Sequence, residues 1–177
     1  MKKSIFLLFA VCCMLIPAEL AAQTRAASPA CTISQKVGLT DVTVVYSRPS
    51  KKERAIFAAD GLVPYGKPWR TGANTATKIT FSDDVKLGEQ SLTKGDYTIL
   101  TVPGASEWKV MLYPYDSGSW GSYVEKAPAI SFTTTPVNLG EVSIETFMID
   151  IGNLRDNSAV IGLAWDNVYV PLALEVK

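Results

Sequence analysis

The stretch YGKPWRTGAN at residues 65–74 places a phenol, an indole, a guanidinium and a carboxamide close together in the chain, on Tyr65, Trp69, Arg70 and Asn74. Two other segments add the same side-chain types: YSRPS at 46–50 contributes Arg48, and SGSWGSY at 117–123 contributes Trp120. Flat rings beside guanidinium and amide donors suit a sugar ring or a carboxylated glycan, through stacking and hydrogen bonding. Arg48, Tyr65, Trp69, Arg70, Asn74 and Trp120 are therefore the candidate ligand-binding residues. In that role Trp69 and Trp120 stack, while Arg48, Arg70 and Asn74 donate. A structural reading stands beside it. Trp69 can plug the open end of a β-sandwich with an arginine stacked on it, and Asn74 can satisfy the backbone of a turn.

Other chemistries are closed by composition. The chain has no histidine, which removes Ser-His-Asp and Cys-His nucleophilic systems and imidazole general bases. It also removes zinc, copper and haem sites built on imidazole. No glycine-rich phosphate loop opens a helix, so no nucleotide is implied. Carboxylate-only hydrolysis remains an alternative, with Asp83, Asp84, Asp116, Glu125, Asp150 and Asp166 as its acids. Such a mechanism needs two of them roughly 5 to 9.5 Å apart. Most of these acids stand in turn-rich sequence, where Asp is favoured for local hydrogen bonding alone. No run spaces oxygen ligands as a calcium loop does. No catalytic residue, metal or cofactor is assigned.

The elements that must hold these side chains read as strands. Apolar residues recur with period two rather than 3.6. Val42, Val44 and Tyr46 share one face of DVTVVYS, and Thr77, Ile79 and Phe81 share one face of TKITF. Trp108, Val110 and Leu112 line EWKVMLY, and Val168, Val170, Leu172, Leu174 and Val176 line VYVPLALEV. Turn residues separate these runs, at Asp83-Asp84, Lys94-Gly95-Asp96, Pro103-Gly104 and Asp166-Asn167. Short strands at such spacing predict an all-β fold, a single-domain antiparallel β-sandwich with a jelly roll as one arrangement of it. The segment VSIETFMIDIGNL changes phase part-way, and a one-residue bulge would bring both Val142 and Phe147 into the core. Pro171 is expected at an edge, or where its missing amide proton faces away from a partner. SKKERAIFAADG, with Ser50 and Glu53 spaced as a capping box and Gly61 as a stop, predicts the one short helix.

The first 22 residues run from Lys2 and Lys3 through the apolar Ile5–Ile16 stretch to small residues at Ala18, Ala21 and Ala22. This is the layout of a cleavable signal peptide, cut near Ala22–Gln23. Residues 23–29 follow as a flexible N-terminal segment, and the β-sandwich domain occupies 30–177. The apolar run is short of the roughly 20 residues a membrane span needs. The expectation is a periplasmic or secreted protein with no stable membrane insertion after cleavage. Acids then exceed bases by one, a balance that gives no electrostatic reason to expect nucleic acid. Cys31 is left as the single thiol, so no internal disulfide can form.

The residues that could bind also carry a resemblance. YSRPS at 46–50, IFAADGLVPYGKPWRTGAN at 56–74 and TKITFSDDVKLGEQSLTKGDYTILTVPGASEWKVMLY at 77–113 resemble an uncharacterised bacterial family, domain of unknown function 2911. Its pattern is an SRP step, a Pro-Tyr-Gly turn, W-R-T-G-A-N, a strand ending in SDD, and a G-x-Y strand followed by P-G and a Trp. The resemblance implies an exported single-domain β protein and carries no catalytic residues to transfer. The leading expectation is thus a non-catalytic protein binding a glycan or small polar ligand. A structural or partner-binding module of the cell envelope is the alternative.

Overall fold

The computed structural model describes residues 26–177, so the expected signal peptide lies outside the described residues. The chain forms β1 (Ala30–Val37), β2 (Thr40–Ser47), β3 (Phe57–Ala58), β4 (Val63–Pro64), β5 (Thr77–Phe81), β6 (Val85–Leu87) and β7 (Gln90–Leu92). It continues with β8 (Gly95–Val102), β9 (Trp108–Pro114), β10 (Ile130–Thr134), β11 (Val137–Asn138), β12 (Ile144–Gly152), β13 (Ser158–Asp166) and β14 (Val168–Val176). One antiparallel sheet has the order β1-β2-β5-β8-β9-β10. The other has the order β12-β13-β14-β6-β7, with β11 paired onto β14. A two-residue parallel pair, β3 with β4, is the single exception to antiparallel pairing among these strands.

The period-two residues face one another across the sandwich. Val42, Val44, Ile79, Phe81, Ile99, Val110 and Leu112 from the first sheet meet Ile161, Leu163, Val170, Leu172 and Leu174 from the second, all essentially inaccessible to water. Each such side chain contributes about 1.5–3 kcal/mol on burial, which makes this shared interior the main stabilising element. A smaller core lies on the outer face of the first sheet. There Ala76, Leu100, Met111 and Tyr113 are covered by Tyr123 from a short 3-10 turn at Trp120–Tyr123. This cover buries both faces of β9, so Met111 and Tyr113 are core residues as much as Val110 and Leu112.

Three local expectations meet different outcomes. The capping-box spacing at Ser50 and Glu53 does not start a helix. Lys52 and Glu53 have φ of 50° and 62°, outside the right-handed helical region. The segment pairs instead with β12: Lys51 N–H donates to Glu145 O (2.7 Å), Phe147 N–H donates to Pro49 O (2.9 Å), and Ser50 bridges Thr146. A helix this brief is marginal alone, and the tertiary pairing overrides it.

On β12, Ile144 pairs with Asp166 but Met148 pairs with Ala164, so the bulge inserts two residues rather than one. An insertion of two does not change the facing of side chains. Val142 accordingly stays 58 % exposed, whereas Phe147 and Ile149 are buried. Pro171 sits on β14 between the stretch paired with β11 (Val168, Tyr169) and that paired with β6 (Leu174–Val176). Its lack of an N–H leaves no gap in either ladder.

The flank of the sandwich at β12 is closed by the end of β2. The Tyr46 hydroxyl accepts from Ile149 N–H (2.9 Å), and Arg48 Nε donates to Phe147 O (3.0 Å). An edge strand's exposed backbone groups need such partners. Arg48 and Pro49 thus stitch the two sheets together. The N-terminal stretch before β1 is tied to the same region, since Pro29 O accepts from Arg48 N–H and Ser28 O from the Asn74 amide.

Candidate functional site

The loops at one end of the sandwich converge on a five-ring aromatic cluster. Trp69 stands at its centre, with ring centroids 5.8 Å from Phe57, 5.0 Å from Phe147, 6.3 Å from Trp108 and 5.9 Å from Trp165. Only the Trp165 contact is stacked; the others are edge-to-face, the arrangement favoured by the ring quadrupoles. Trp69 pairs through its backbone with Thr101 and donates from Nε1 to Gly72 O (3.1 Å). It is 8 % exposed. Its faces are occupied by protein rings, so the stacking role expected of it toward a ligand has no open surface. The physical reason is the local alternation: Trp69 and Thr71 point inward while Arg70 points out.

Tyr65 stands outside this cluster and lines a cleft of about 260 Å³ at the same end. Its position is fixed by Tyr65 N–H donating to Ala58 O (3.0 Å) and Gly66 N–H donating to Pro103 O (2.8 Å). The opposite wall is Asn138 at the end of β11 and Asn167 in the β13–β14 turn, and the floor includes Phe57 and Trp108. Asn138 Oδ1 accepts from Gly140 N–H (2.7 Å), which leaves its NH2 group toward solvent. The Asn167 backbone carbonyl accepts from Leu139 N–H (2.8 Å), and its side-chain amide has no partner among the described residues. No charged side chain lines the cleft.

The remaining candidates are dispersed. Arg70 lies 4.9 Å over the Trp120 ring on the outer face of the first sheet and donates from Nη1 to Asn74 O (2.9 Å). Asn74, at φ 58°, donates from Nδ2 to Ser28 O and Ser47 Oγ. Arg48 is engaged with β12. The structure therefore brings Arg70, Asn74 and Trp120 together, but places Tyr65 in the cleft, Trp69 inside and Arg48 on the flank. Asn138 and Asn167 are the polar cleft residues that local spacing did not single out. The Asp166-Asn167 step carried only a turn signal.

The acids are spread over the surface. Lys126, helped by the Tyr123 hydroxyl, holds the Asp116 carboxyl down at about 2. Asp84 is held low by the Lys94 backbone N–H and Lys177, and Asp96 by Lys78 and Thr80. Asp166 pairs with Lys51 and accepts from Ser143. Asp150 behaves oppositely: burial on the outer face of the second sheet raises it above the ordinary carboxylate range. Cys31 is half-buried in β1, opposite Tyr46. Among the described residues no group of three or more Cys, Asp or Glu side chains is placed to hold a metal ion.

The profile of a protein of unknown function, DUF2911, matches residues 28–174. The chain belongs to the DUF2911 family. That span runs from the tie at Ser28 to Leu174 of β14, so the DUF2911 domain is the whole sandwich. The SRP and WRTGAN motifs that carried the resemblance are the flank stitch and the end closure of this DUF2911 fold. No curated protein and no solved structure matches the chain.

Proposed function

We propose that this DUF2911 protein is an exported, non-catalytic binding module whose ligand is a small uncharged polyhydroxy compound, such as a neutral sugar unit. The single observation that supports this is the make-up of the Tyr65 cleft. It combines an accessible aromatic ring, two amides with free hydrogen-bonding groups, and no charged lining. An aromatic face takes the C–H side of a sugar ring, and carboxamides both donate to and accept from its hydroxyls. With no fixed charge in the lining, a carboxylate or phosphate would lose hydration without an ion partner. This favours a neutral glycan over the carboxylated one. The aromatic cluster behind the cleft keeps the wall rigid, which lowers the ordering cost of binding.

The test is isothermal titration of the protein, expressed without residues 1–22, against a panel of neutral mono- and oligosaccharides with a uronic acid as the charged control. At least one neutral saccharide should bind, and both Tyr65→Ala and Asn138→Ala should weaken it while the thermal midpoint stays put. Binding that survives both substitutions, or a panel with no binder, refutes the reading. Export is checked by N-terminal sequencing of the protein recovered from its native host, with Gln23 as the expected first residue.

A further inference from the structure

The margins of the two sheets are covered unequally. β12 carries residues 49–51 along its edge, with Phe147 N–H donating to Pro49 O (2.9 Å) and Lys51 N–H to Glu145 O (2.7 Å). On the far side β10 runs beside β7, where the Gln90 amide donates to Ser131 O (2.8 Å). β1 is eight residues long and pairs with β2 and no other strand among the described residues. Arg48 N–H donates to Pro29 O (2.9 Å), which continues the β1–β2 register by one pair. Antiparallel bonding alternates along a strand, so the odd-numbered residues of β1 turn their N–H and C=O groups toward β2. Ala30, Thr32, Ser34 and Lys36 turn theirs outward. The Gln35 side chain fits this sense, since its Nε2 reaches round to Lys36 O (2.9 Å).

A row of outward backbone groups is a template for another strand, and proline or charged side chains ordinarily blunt it. Here they stand only at the two ends, as Pro29 and Lys36. Lys36 is turned back onto its own hairpin, with Nζ 2.8 Å from Asp41 Oδ1 and donating to Leu39 O (3.3 Å). Between the ends the outer face is uncharged. Thr32 and Ser34 are exposed there, and Ser34 Oγ lies 2.8 Å from Thr43 Oγ1 on β2. On the inner face Cys31 and Ile33 pack against the core but are only partly covered.

We propose that β1 is a dimer edge, which takes β1 of a second copy in antiparallel pairing about a two-fold axis through Ile33. Only this register maps Ala30, Thr32, Ser34 and Lys36 onto one another, Ala30 against Lys36 and Thr32 against Ser34. Every outward backbone group then finds a partner, and a backbone N–H replaces the Gln35 amide at Lys36 O. Ile33 meets its own copy across the axis as a closely spaced side-chain pair, and Cys31 faces Gln35 rather than a second thiol. No like charges oppose one another. The two Lys36 residues stand roughly 20 Å apart along the strands, well beyond the Debye length of about 8 Å. This self-complementarity points to a second copy rather than a foreign strand, because a two-fold interface pairs one patch with itself. The pairing joins two six-stranded sheets into one. It goes beyond the sugar-binding reading, since no β1 residue lines the Tyr65 cleft. Antiparallel pairing also sets the two clefts at opposite ends of the dimer.

The test is sedimentation velocity of the protein, expressed without residues 1–22, over a concentration series with and without dithiothreitol. The expected result is a reversible shift from monomer to dimer as concentration rises, the same in both buffers. Thr32→Lys combined with Ser34→Lys sets like charges directly opposite each other at two pairs of the dimer. It should weaken dimerisation about tenfold or more. Thr32→Lys combined with Ser34→Glu sets opposite charges across the same two pairs and should dimerise at least as well as the parent. Both positions are exposed in the monomer, and thermal melts of dilute protein check that each variant folds as the parent does. A protein monomeric at every concentration, or a dimer that the reductant dissolves, would overturn the proposal. So would a dimer indifferent to the like-charge pair, or one lost with the opposite-charge pair. The saccharide titration reads the cleft separately, so failure of either proposal leaves the other standing.

Discussion

Truncation of Trp69 separates a closure residue from a ligand-stacking residue. Trp69→Ala removes a buried indole from the centre of five rings. Large-to-small core substitutions of Trp cost about 3–5 kcal/mol. The edge-to-face contacts to Phe57 and Phe147 add about 0.5–1.5 kcal/mol each beyond burial, although part of this is already contained in the first figure. The Nε1–Gly72 O bond is lost as well, and Gly72 O is left without that donor. A cost near 4 kcal/mol is a large share of the roughly 5–15 kcal/mol that stabilises a domain. For a domain of this length it lowers the thermal midpoint by roughly 10 °C. Trp69→Phe, which keeps a ring in the cluster, should cost less than half as much. Urea unfolding followed by tryptophan fluorescence and by circular dichroism gives both values. A Trp69→Ala cost below about 1 kcal/mol, with an unchanged m-value, would mean the indole does not carry the end of the sandwich.

Three further substitutions probe other contacts of the fold. Tyr46→Phe deletes the hydroxyl that accepts from Ile149 N–H, leaving a buried backbone donor unpaired, and should cost about 1–3 kcal/mol in urea unfolding. Asp150→Asn acts through linkage. The folded pKa of Asp150 is raised, so the native state holds its proton longer than the unfolded chain, and the parent loses stability as pH rises through that interval. The variant should therefore be more stable than the parent at pH 7. The gain should vanish below about pH 4, where the unfolded carboxyl is also protonated; thermal melts at both pH values check this. Asp116 has the opposite sign. With its carboxyl held at about 2 by Lys126 and Tyr123, its contribution is present above the ordinary carboxylate pKa and is lost as pH falls toward 2. An NMR pH titration of its carboxyl carbon should show a midpoint near 2, moving up toward the ordinary value in Lys126→Met.

The fold was legible because its signal is local. Val168, Val170, Leu172, Leu174 and Val176 alternate within nine residues, and a period of two can be satisfied only by one buried sheet face. Where tertiary pairing competes with a local pattern, the sequence misleads. Ser50 and Glu53 spell a capping box, yet the backbone of 49–51 is taken by β12. The binding surfaces are less legible still. Tyr65, Gly104, Asn138 and Asn167 reach the cleft from four separate segments of the chain, and no spacing in the chain announces their meeting. The WRTGAN run offers side chains of the types that bind ligands. The alternation that turns Trp69 and Thr71 inward and Arg70 outward was the one available sign that its indole belongs to the core. Asp150 sits in an ordinary-looking MIDIG strand; what half-buries it is the Tyr169 side chain lying over Gly162 beside it.

The central claim is that the uncharged cleft at Tyr65, Asn138 and Asn167 is where this protein meets its ligand. The most direct measurement is a chemical-shift map of the 15N-labelled protein, expressed without residues 1–22, titrated with the tightest neutral saccharide from the panel. The account predicts that the largest saturable changes fall on the side-chain amides of Asn138 and Asn167 and on the backbone of Tyr65 and Ala105. Changes confined to Arg70, Asn74 and Trp120, with the cleft silent, would contradict it.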